Sequence, residues 1–406
     1  VTINEQPNAG VDGSLIACDS DATAIVLASL ITGEQTGGAW TQISGTGGFF
    51  NAVAGTYTPA LGTTTSTFTY TLVGSLPCIN DTSLATITIN PAPTATISGA
   101  TAVCSGTGTN ITFSGTPNAT VTYTINGGAN QTIVLNGSGT ATVATGNLTA
   151  TATYTLVSVQ DTVTTCSQSQ TGSAVVSINA LPTATISGAT AVCSGTGTNI
   201  TFSGTPNATV TYTINGGANQ TIVLNGSGTA TVATGNLTAT ATYTLVSVQD
   251  TVTTCSQSQT GSAVVSINAL PTATISGATA VCSGTGTNIT FSGTPNATVT
   301  YTVNGGGNQT VVLNGSGTAT VTTGNLTVNT TYALVSVQNT VTTCSQSQTG
   351  NVVVTVISLP TATLSGATAV CSGTGTNITF SGTPNATVTY TVNGGANQTI
   401  VLNGTG

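Results

Sequence analysis

The chain has 406 residues, no Lys, Arg or His, and eight carboxylates that give a net charge of −8 at neutral pH. Nucleic acids and anionic membrane surfaces are bound chiefly through Lys and Arg, so this composition excludes both as partners. No stretch approaches the roughly 18 apolar residues that a membrane-spanning helix needs, which predicts no membrane insertion by this segment.

Residues 1–92 hold six of the eight carboxylates, so the rest of the chain is almost uncharged. Residues 1–4 match the close of later domains and are predicted to be the last strand of a preceding domain. Residues 5–92 are predicted to form one divergent domain, hereafter domain 1. Its single tryptophan, Trp40, is predicted to be the core anchor of a β-sandwich. Strands are expected at residues 24–30, 38–43, 56–59, 67–73 and 84–90.

One long repeating unit then dominates the chain. Residues 93–181 (repeat 1) recur letter for letter at 182–270 (repeat 2) and with conservative changes at 271–359 (repeat 3), and 360–406 begin a fourth copy (partial repeat 4). A unit of this length is a whole small domain, so the array consists of beads. The chain is expected to be a window from a longer secreted protein. The alternative is that another molecule completes the partial repeat by donating a strand.

Each repeat is predicted to contain seven short strands. In repeat 1 they are expected at residues 95–98, 110–114, 120–125, 131–135, 140–144, 151–159 and 173–179, with period-2 alternation and Asn-Gly turns between them. Phe113 and Tyr123 are predicted core anchors. Leu148 and Tyr154 are predicted to form the tyrosine corner of immunoglobulin-like folds. The predicted class is all-β: tandem immunoglobulin-like β-sandwich domains arranged end to end as a rod, with prolines such as Pro182 stiffening the junctions.

The nine cysteines recur at a fixed spacing. Each complete repeat holds two at the same interval, and domain 1 holds two at nearly that interval. One pair per domain predicts a disulfide within each domain, and disulfides indicate an oxidising, extracellular compartment. The predicted pairs are Cys18–Cys78, Cys104–Cys166, Cys193–Cys255 and Cys282–Cys344, with the partner of Cys371 beyond the chain end. A rival pairing joins neighbouring domains as Cys78–Cys104, Cys166–Cys193, Cys255–Cys282 and Cys344–Cys371.

The residues that carry most catalytic chemistry are missing. Without His, Lys or Arg, the inventory of bases and electrophiles reduces to carboxylates, Tyr and Cys. Repeats 1 and 2 each hold one carboxylate, Asp161 or Asp250, and repeat 3 has Asn339 in its place, which is not the pattern of a catalytic acid. No enzyme activity, metal or cofactor is predicted. A Ca²⁺ site in domain 1 is a weaker alternative, built from Asp12, Asp19, Asp21 and Glu34.

The repeat resembles the tandem immunoglobulin-like repeats of giant Bacteroidota surface proteins, such as the SprB-type gliding-motility adhesins exported by the type IX system. The matching text is CSGTGTNITFSGTPNATVTYTINGGANQTIVLNGSGTATV and TYTLVSVQDTVTTCSQSQTG. Domain 1 resembles a sister repeat of the same proteins through GGAWTQISGTGGFF, AGTYTPA and FTYTLVGSLPC. The resemblance implies an extracellular cell-surface stalk. The triplets at Asp161 and Asp250 also resemble Bacteroidota O-glycosylation sites, which implies modification of Thr162 and Thr251.

These observations predict a non-enzymatic stalk segment of a long extracellular adhesin or cell-surface filament, giving length and stiffness for attachment or gliding. Its expected partners are the neighbouring domains of the same chain. Two alternatives remain open. One is a repeated binding module, because Thr-x-Thr strands (Thr120, Thr122, Thr124 and their repeats) offer faces for surface polysaccharide or ice. The other is a subunit of a laterally assembled filament, in which other copies of the chain are partners.

Overall fold

The computed structural model describes residues 3–366 and 369–406 of the chain. Val1 and Thr2, half of the predicted strand 1–4, lie outside the described residues, and Ile3 and Asn4 belong to no strand. The described residues contain no helix long and apolar enough to cross a membrane. In domain 1 the elements are β1 (Gly13–Cys18), β2 (Ile25–Val26), the 3₁₀ turn η1 (Leu27–Ser29), β3 (Ala39–Ser44), β4 (Phe49–Asn51), β5 (Thr56–Thr58), β6 (Ser66–Leu72) and β7 (Asp81–Asn90).

The three repeats each fold into nine strands. Repeat 1 has β8 (Ala95–Ser98), β9 (Thr101–Cys104), β10 (Asn110–Gly115), β11 (Thr120–Ile125), β12 (Gln131–Val134), β13 (Thr140–Ala144), β14 (Ala152–Gln160), β15 (Ser167–Ser169) and β16 (Ser173–Asn179). Repeat 2 has β17 (Ala184–Ser187), β18 (Thr190–Cys193), β19 (Asn199–Gly204), β20 (Thr209–Ile214), β21 (Gln220–Val223), β22 (Thr229–Ala233), β23 (Ala241–Gln249), β24 (Ser256–Ser258) and β25 (Ser262–Asn268). Repeat 3 has β26 (Ala273–Ser276), β27 (Ala280–Cys282), β28 (Asn288–Gly293), β29 (Ala297–Val303), β30 (Gln309–Val312), β31 (Thr318–Thr322), β32 (Thr330–Asn339), β33 (Ser345–Ser347) and β34 (Asn351–Ile357).

The strands of a repeat pack as two sheets. In repeat 1, β13, β10 and β8 form one sheet, and β12, β11, β14, β16 and β9 form the other, with β15 paired to β14. Neighbouring strands are antiparallel except β9, which runs parallel to β16. The strands are thus divided between two layers, as an immunoglobulin-like sandwich requires. Repeats 2 and 3 show the same strand order.

Alternating side chains from both sheets fill the space between the layers. Phe113 on β10 and Tyr123 on β11 are buried, with ring centroids 4.8 Å apart. Tyr154 on β14 is also buried, and the partly buried Leu148 packs against the same cluster. The matching residues form separate clusters in repeats 2 and 3. The alternating apolar side chains of the longer strands therefore face inward, and most outward positions hold Thr or Ser, although Val134, Val157 and Val175 are exposed.

The tyrosine corner predicted from Leu148 and Tyr154 is wrong. Within the described residues the Tyr154 hydroxyl makes no hydrogen bond, whereas the corner needs one from that hydroxyl to the backbone. Leu148 instead bridges to the loop after β9: its N–H donates to the Thr107 carbonyl at 2.9 Å, and its carbonyl accepts from the N–H of Gly106 at 2.8 Å. The leucine secures that loop against the sandwich.

Domain 1 shares this plan with shorter strands in one sheet. Its larger sheet has the order β1, β7, β6, β3, with β1 parallel to β7, and its smaller sheet has the order β2, β5, β4. Trp40 is buried against Tyr70, with ring centroids 5.0 Å apart. The strand predicted at 24–30 is too long, because the chain turns into η1 after Val26.

Partial repeat 4 forms four strands in two separate pairs. They are β35 (Ala362–Ser365), β36 (Thr379–Gly382), β37 (Thr387–Tyr390) and β38 (Gln398–Val401). β35 pairs with β36 and β37 pairs with β38. Phe380 and Tyr390 keep the aromatic contact of the complete repeats, at 4.7 Å between centroids.

Candidate functional site: the disulfide-linked domain junction

The direction of the strands places the two cysteines of a repeat at opposite ends of the sandwich. β16 carries the chain out of repeat 1, and β9 runs parallel to it with Cys104 opposite Asn179. Cys104 therefore lies at the C-terminal pole, the end from which the chain leaves the domain. β14 is antiparallel to β16, so the hairpin after Gln160, which carries Cys166, lies at the N-terminal pole.

The hydrogen-bond register gives the distance between the poles. Six residue steps lead from Asn179 back to Ser173, which is opposite Thr155, and five more lead from Thr155 to Gln160. At about 3.3 Å per residue these steps span about 35 Å. A disulfide needs Cα atoms roughly 4.4–6.8 Å apart. The two cysteines of one domain therefore cannot bond to each other.

Each disulfide joins the facing poles of two consecutive domains. The bonds are Cys18–Cys166, Cys104–Cys255 and Cys193–Cys344, with 5.5 Å between Cα atoms in every case. The predicted pairing within domains (Cys18–Cys78, Cys104–Cys166, Cys193–Cys255 and Cys282–Cys344) is wrong because those partners lie at opposite poles. The rival pairing between neighbouring domains is also wrong. It would bond Cys166, at the N-terminal pole of repeat 1, to Cys193, at the C-terminal pole of repeat 2, and these two poles face away from each other.

Three cysteines in the described residues are free: Cys78, Cys282 and Cys371. Cys282 ends β27 opposite Ile357, the position at which Cys104 and Cys193 are bonded in their repeats. It therefore faces partial repeat 4, and no residue of that unit corresponds to Cys166. That the partner of Cys371 lies beyond the chain end stays a prediction.

A tight hairpin presents Cys166 at the N-terminal pole. The Asp161 side chain accepts hydrogen bonds from the backbone N–H groups of Val163 (2.8 Å) and Thr164 (2.9 Å). The N–H of Asp161 donates to the Cys166 carbonyl at 2.8 Å. Thr165 adopts a left-handed backbone with φ of 59°, which a β-branched residue rarely occupies. The hairpin thus holds its cysteine through local hydrogen bonds and at a local conformational cost.

The same hairpin explains why Asp and Asn are interchangeable there. In repeat 3, Asn339 Oδ1 accepts from Val341 (2.9 Å) and Thr342 (3.0 Å) just as Asp161 does in repeat 1. Only an acceptor oxygen is required, and both side chains supply one. The backbone hydrogen bond from Thr164, and then that from Val163, lowers the pKa of Asp161 below its ordinary value of 3.8. These contacts assign a structural role to the residue.

The cysteine at the C-terminal pole is fixed beside the departing chain. In repeat 1 the N–H of Ser105 donates to the Asn179 carbonyl at 2.9 Å, and the Thr107 hydroxyl donates to the Cys104 carbonyl at 2.7 Å. In domain 1, Asp19 takes the place of the serine. Its buried carboxylate accepts from the N–H of Gly62 at 3.0 Å and from that of Ala92, in the linker, at 2.6 Å.

Hydrogen bonds add to the disulfides at each junction, either between the two domains or between a hairpin and the linker. Between domain 1 and repeat 1, the Ser20 hydroxyl donates to the Ser167 carbonyl at 2.9 Å. At the next two junctions a hairpin glutamine holds the linker proline: Gln257 donates to the Pro182 carbonyl at 2.7 Å and Gln346 to that of Pro271 at 2.8 Å. The linker, the hairpin and the cysteine pair therefore form one compact joint.

The other predicted site residues serve separate purposes. Thr162 and Thr251, the predicted glycosylation sites, are exposed on the hairpins, where their hydroxyls donate to the carbonyls of Asn118 (3.1 Å) and Asn207 (3.2 Å). Modification of these residues stays a prediction. The domain 1 carboxylates do not converge. Asp12 accepts from the Leu84 N–H at 2.8 Å, far from the contacts of Asp19, and no metal-holding group of His, Cys, Asp or Glu occurs among the described residues.

Sequence reasoning missed β9 and β15, the two short strands that position the cysteines. Both are only three or four residues long and lie beside loops rich in Gly, Ser and Thr. One signal was present. Domain 1 has SLIAC and repeat 1 has ATAVC at corresponding places, an apolar strand pattern that ends in cysteine in two otherwise divergent sequences.

No protein-family model and no curated protein matches the chain. Among solved structures it is similar to immunoglobulin domains 1–5 of Sidekick-1 (13% identity, covering 87% of this chain and 80% of that one, TM-score 0.28). It is also similar to the D1–D4 ectodomain fragment of ICAM-5 (12%, 84% and 97%, 0.30) and to invasin, a bacterial integrin-binding protein (16%, 67% and 62%, 0.27). By its strand order and register, the chain is a tandem array of immunoglobulin-like β-sandwiches.

Proposed function

We propose that this chain is a non-enzymatic stalk segment of a long extracellular adhesin or cell-surface filament. The observation that carries the proposal is the junction, where a disulfide and a short linker join facing poles of consecutive domains. The effect of such a joint is to fix one domain against the next. Near-identical repeats then add length without new chemistry.

The disulfides and the sequence resemblance support a cellular setting for the stalk. Disulfides persist in oxidising compartments, which supports an extracellular location. The resemblance to SprB-type repeats supports placement on the surface of a Bacteroidota cell after type IX export, with a role in attachment or gliding. Within this proposal the stalk carries an adhesive tip away from the cell, and its own surface is passive.

The alternative is that the repeats bind a ligand directly. Outward-facing hydroxyl residues lie opposite one another across strands, as in Thr112 with Thr142 and Thr122 with Thr132, and the same pairs recur in repeats 2 and 3. Such rows suit polysaccharide or ice, and identical copies would add avidity. A fragment that binds nothing in glycan and ice assays excludes this alternative.

One deletion separates the two functions in the native protein. Removing residues 182–270 takes out one complete period, so Cys104 of repeat 1 then meets Cys344 of repeat 3 in the original junction geometry. A stalk predicts that the shortened protein still reaches the cell surface and that cells attach as before. A repeated binding module predicts attachment that falls with the number of repeats. Failure to label domain 1 with antibody on intact cells contradicts the stalk proposal itself.

A further inference from the structure

The disulfides connect alternate parts of the chain into two continuous covalent routes. One route runs from Cys18 across its disulfide to Cys166, along the backbone to Cys193, and across the next disulfide to Cys344. The other runs from Cys104 across to Cys255 and along the backbone to Cys282. The two backbone sections, Cys166–Cys193 and Cys255–Cys282, are equal in length because they span the same part of consecutive periods. We call these routes thread 1 and thread 2.

The two threads lie side by side in each repeat. In repeat 2, thread 1 contains β18 and thread 2 contains β25, and these strands pair in parallel register from Thr190 opposite Val265 to Cys193 opposite Asn268. Both threads run from the N-terminal pole towards the C-terminal pole. Tension applied along the array therefore passes through two adjacent strands that point along the line of pull.

Most of the hydrophobic core lies outside the threads. The section between Cys193 on thread 1 and Cys255 on thread 2 carries β19 to β23. Ten of the thirteen buried residues of the repeat 2 core cluster belong to this section. Since both of its ends are tied to the threads, unfolding this section adds nothing to the end-to-end covalent distance.

We propose that the interdomain disulfides make the array a two-threaded cable whose maximum length is set by covalent bonds, even when its domains unfold. This mechanical role goes beyond the proposed stalk function. It depends only on the pairing of the cysteines and is independent of what the protein attaches to. The core gives each domain its shape, and the threads limit how far the array can lengthen.

The backbone sections of the threads are only slightly longer when fully extended than they are in the folded array. The backbone section from Cys166 to Cys193 crosses two domains, which is about 70 Å when each sheet spans about 35 Å. Fully extended, at roughly 3.5 Å per residue, the section reaches about 95 Å. Unfolding therefore lengthens the array by about 10–15 Å per domain. If each domain instead held its own disulfide, unfolding would lengthen the array by about 60 Å per domain. Without any disulfide, unfolding would lengthen it by about 270 Å per domain.

Single-molecule stretching of the whole chain between terminal peptide tags tests the proposal, after alkylation of the three free cysteines. The shortest covalent path follows thread 1: its backbone sections run from Val1 to Cys18, from Cys166 to Cys193 and from Cys344 to Gly406. The oxidised chain should therefore stop lengthening at about 370 Å, and a chain reduced before pulling should reach about 1,400 Å.

Two matched double variants locate the threads. Cys193→Ser with Cys344→Ser cuts thread 1, so the shortest path then returns from Cys166 to Cys104 and crosses to Cys255. The limit should rise to about 800 Å. Cys104→Ser with Cys255→Ser cuts only thread 2, and the limit should stay at about 370 Å. Pairing within domains instead gives about 560 Å for the oxidised chain and about 990 Å for the second variant. Either of those lengths overturns the proposal.

Discussion

Domain 1 and repeat 1 have different hydrophobic cores but the same arrangement of strands and cysteine at the C-terminal pole. The interior of domain 1 is built around Trp40 and a two-residue strand, β2, in its smaller sheet, whereas repeat 1 uses longer strands and the Phe113–Tyr123 pair. At the C-terminal pole the two are alike. A short strand runs parallel to the last strand and ends in a cysteine opposite its final asparagine, Cys18 opposite Asn90 or Cys104 opposite Asn179.

The core and the junction are therefore separable parts of the molecule. The core determines whether a domain is folded, and different residues achieve that in the two units. The junction determines how domains are connected, and it needs one geometry. Changes to the core should therefore alter the stability of one domain without altering connectivity, whereas replacing a junction cysteine should alter how the domains are connected.

The largest effect is expected from the core. Phe291 in repeat 3 is fully buried and packs against Tyr301, with ring centroids 4.8 Å apart, so Phe291→Ala should cost about 3–5 kcal/mol through lost burial and a cavity. Hydrogen exchange measured by mass spectrometry should rise across repeat 3, as followed in peptides from residues 303–339, where its sequence differs from those of repeats 1 and 2. The control is Val312→Ala, at a side chain 60% exposed. Equal effects of the two variants would contradict the assigned core.

A smaller effect is expected where the sandwich meets the linker. A Cβ on Gly293 would lie 2.0 Å from the backbone carbonyl oxygen of Thr272, next to the linker proline. Gly293→Ala should therefore cost about 1–3 kcal/mol in the stability of repeat 3, because backbone has to move. Gly307→Ala is the matched control, since no atom lies within 4 Å of the new methyl group and Ala129 occupies that position in repeat 1. If both variants were as stable as the unchanged protein, the close approach of Gly293 to the Thr272 carbonyl would not restrict the side chain at that position.

A substitution at Thr343, the residue with the strained backbone, should increase the stability of the hairpin. Thr343 has φ of 59°, in the left-handed region, where Asn is tolerated better than a β-branched residue. Thr343→Asn should stabilise the hairpin by about 1 kcal/mol, seen as slower hydrogen exchange at residues 339–344. Val341→Asn, at a neighbouring side chain that is 86% exposed, should have no such effect. Faster exchange in Thr343→Asn would mean that the threonine side chain has a role beyond its backbone conformation.

The smallest effect is expected from acid. The pKa of Asp161 and of Asp250 lies below the ordinary value of 3.8 because hairpin N–H groups bond the carboxylate. A lowered pKa means that the stabilisation is present above the ordinary value and is lost as the pH falls through the lowered one. Hydrogen exchange, normalised to the intrinsic rate, should show the hairpins of repeats 1 and 2 loosening in acid. Asn339 does not titrate, so the hairpin of repeat 3 should not loosen.

The variant Asp161→Asn with Asp250→Asn supplies the control for this acid effect. It should abolish the difference between repeats while leaving all three hairpins formed at neutral pH, because Asn supplies the same acceptor oxygen. A difference that persists in this variant would assign the acid response to some other group.

The sequence was sufficient for the sandwich and insufficient for the junction. Alternation of Val121, Tyr123 and Ile125 with threonines identified a half-buried strand, and the Asn-Gly turn after it appears with Asn126 at φ of 52°. Such signals are local, so each strand can be read from its own residues. The outward Thr faces follow from the same alternation.

The disulfide pairing could not be read from spacing because the period is fixed. For Cys104, the second cysteine of its own repeat, Cys166, has the same local sequence as Cys255, the matching cysteine of the next repeat. Identical neighbours make the two pairings equivalent at the level of sequence. Only the direction of β9 relative to β16, which puts the cysteines of one repeat about 35 Å apart, separates them.

Disulfide mapping of the unreduced chain tests the central claim most directly, and domain 1 provides the unambiguous peptide. The segments around Cys18 (SLIACDSD) and Cys78 (SLPCIND) occur once each, unlike the cysteine segments of the repeats. After chymotrypsin digestion without reduction, mass spectrometry should find the Cys18 peptide joined to a hairpin peptide containing DTVTTC. A Cys18 peptide joined to the Cys78 peptide would contradict the interdomain junction and, with it, the two-threaded cable.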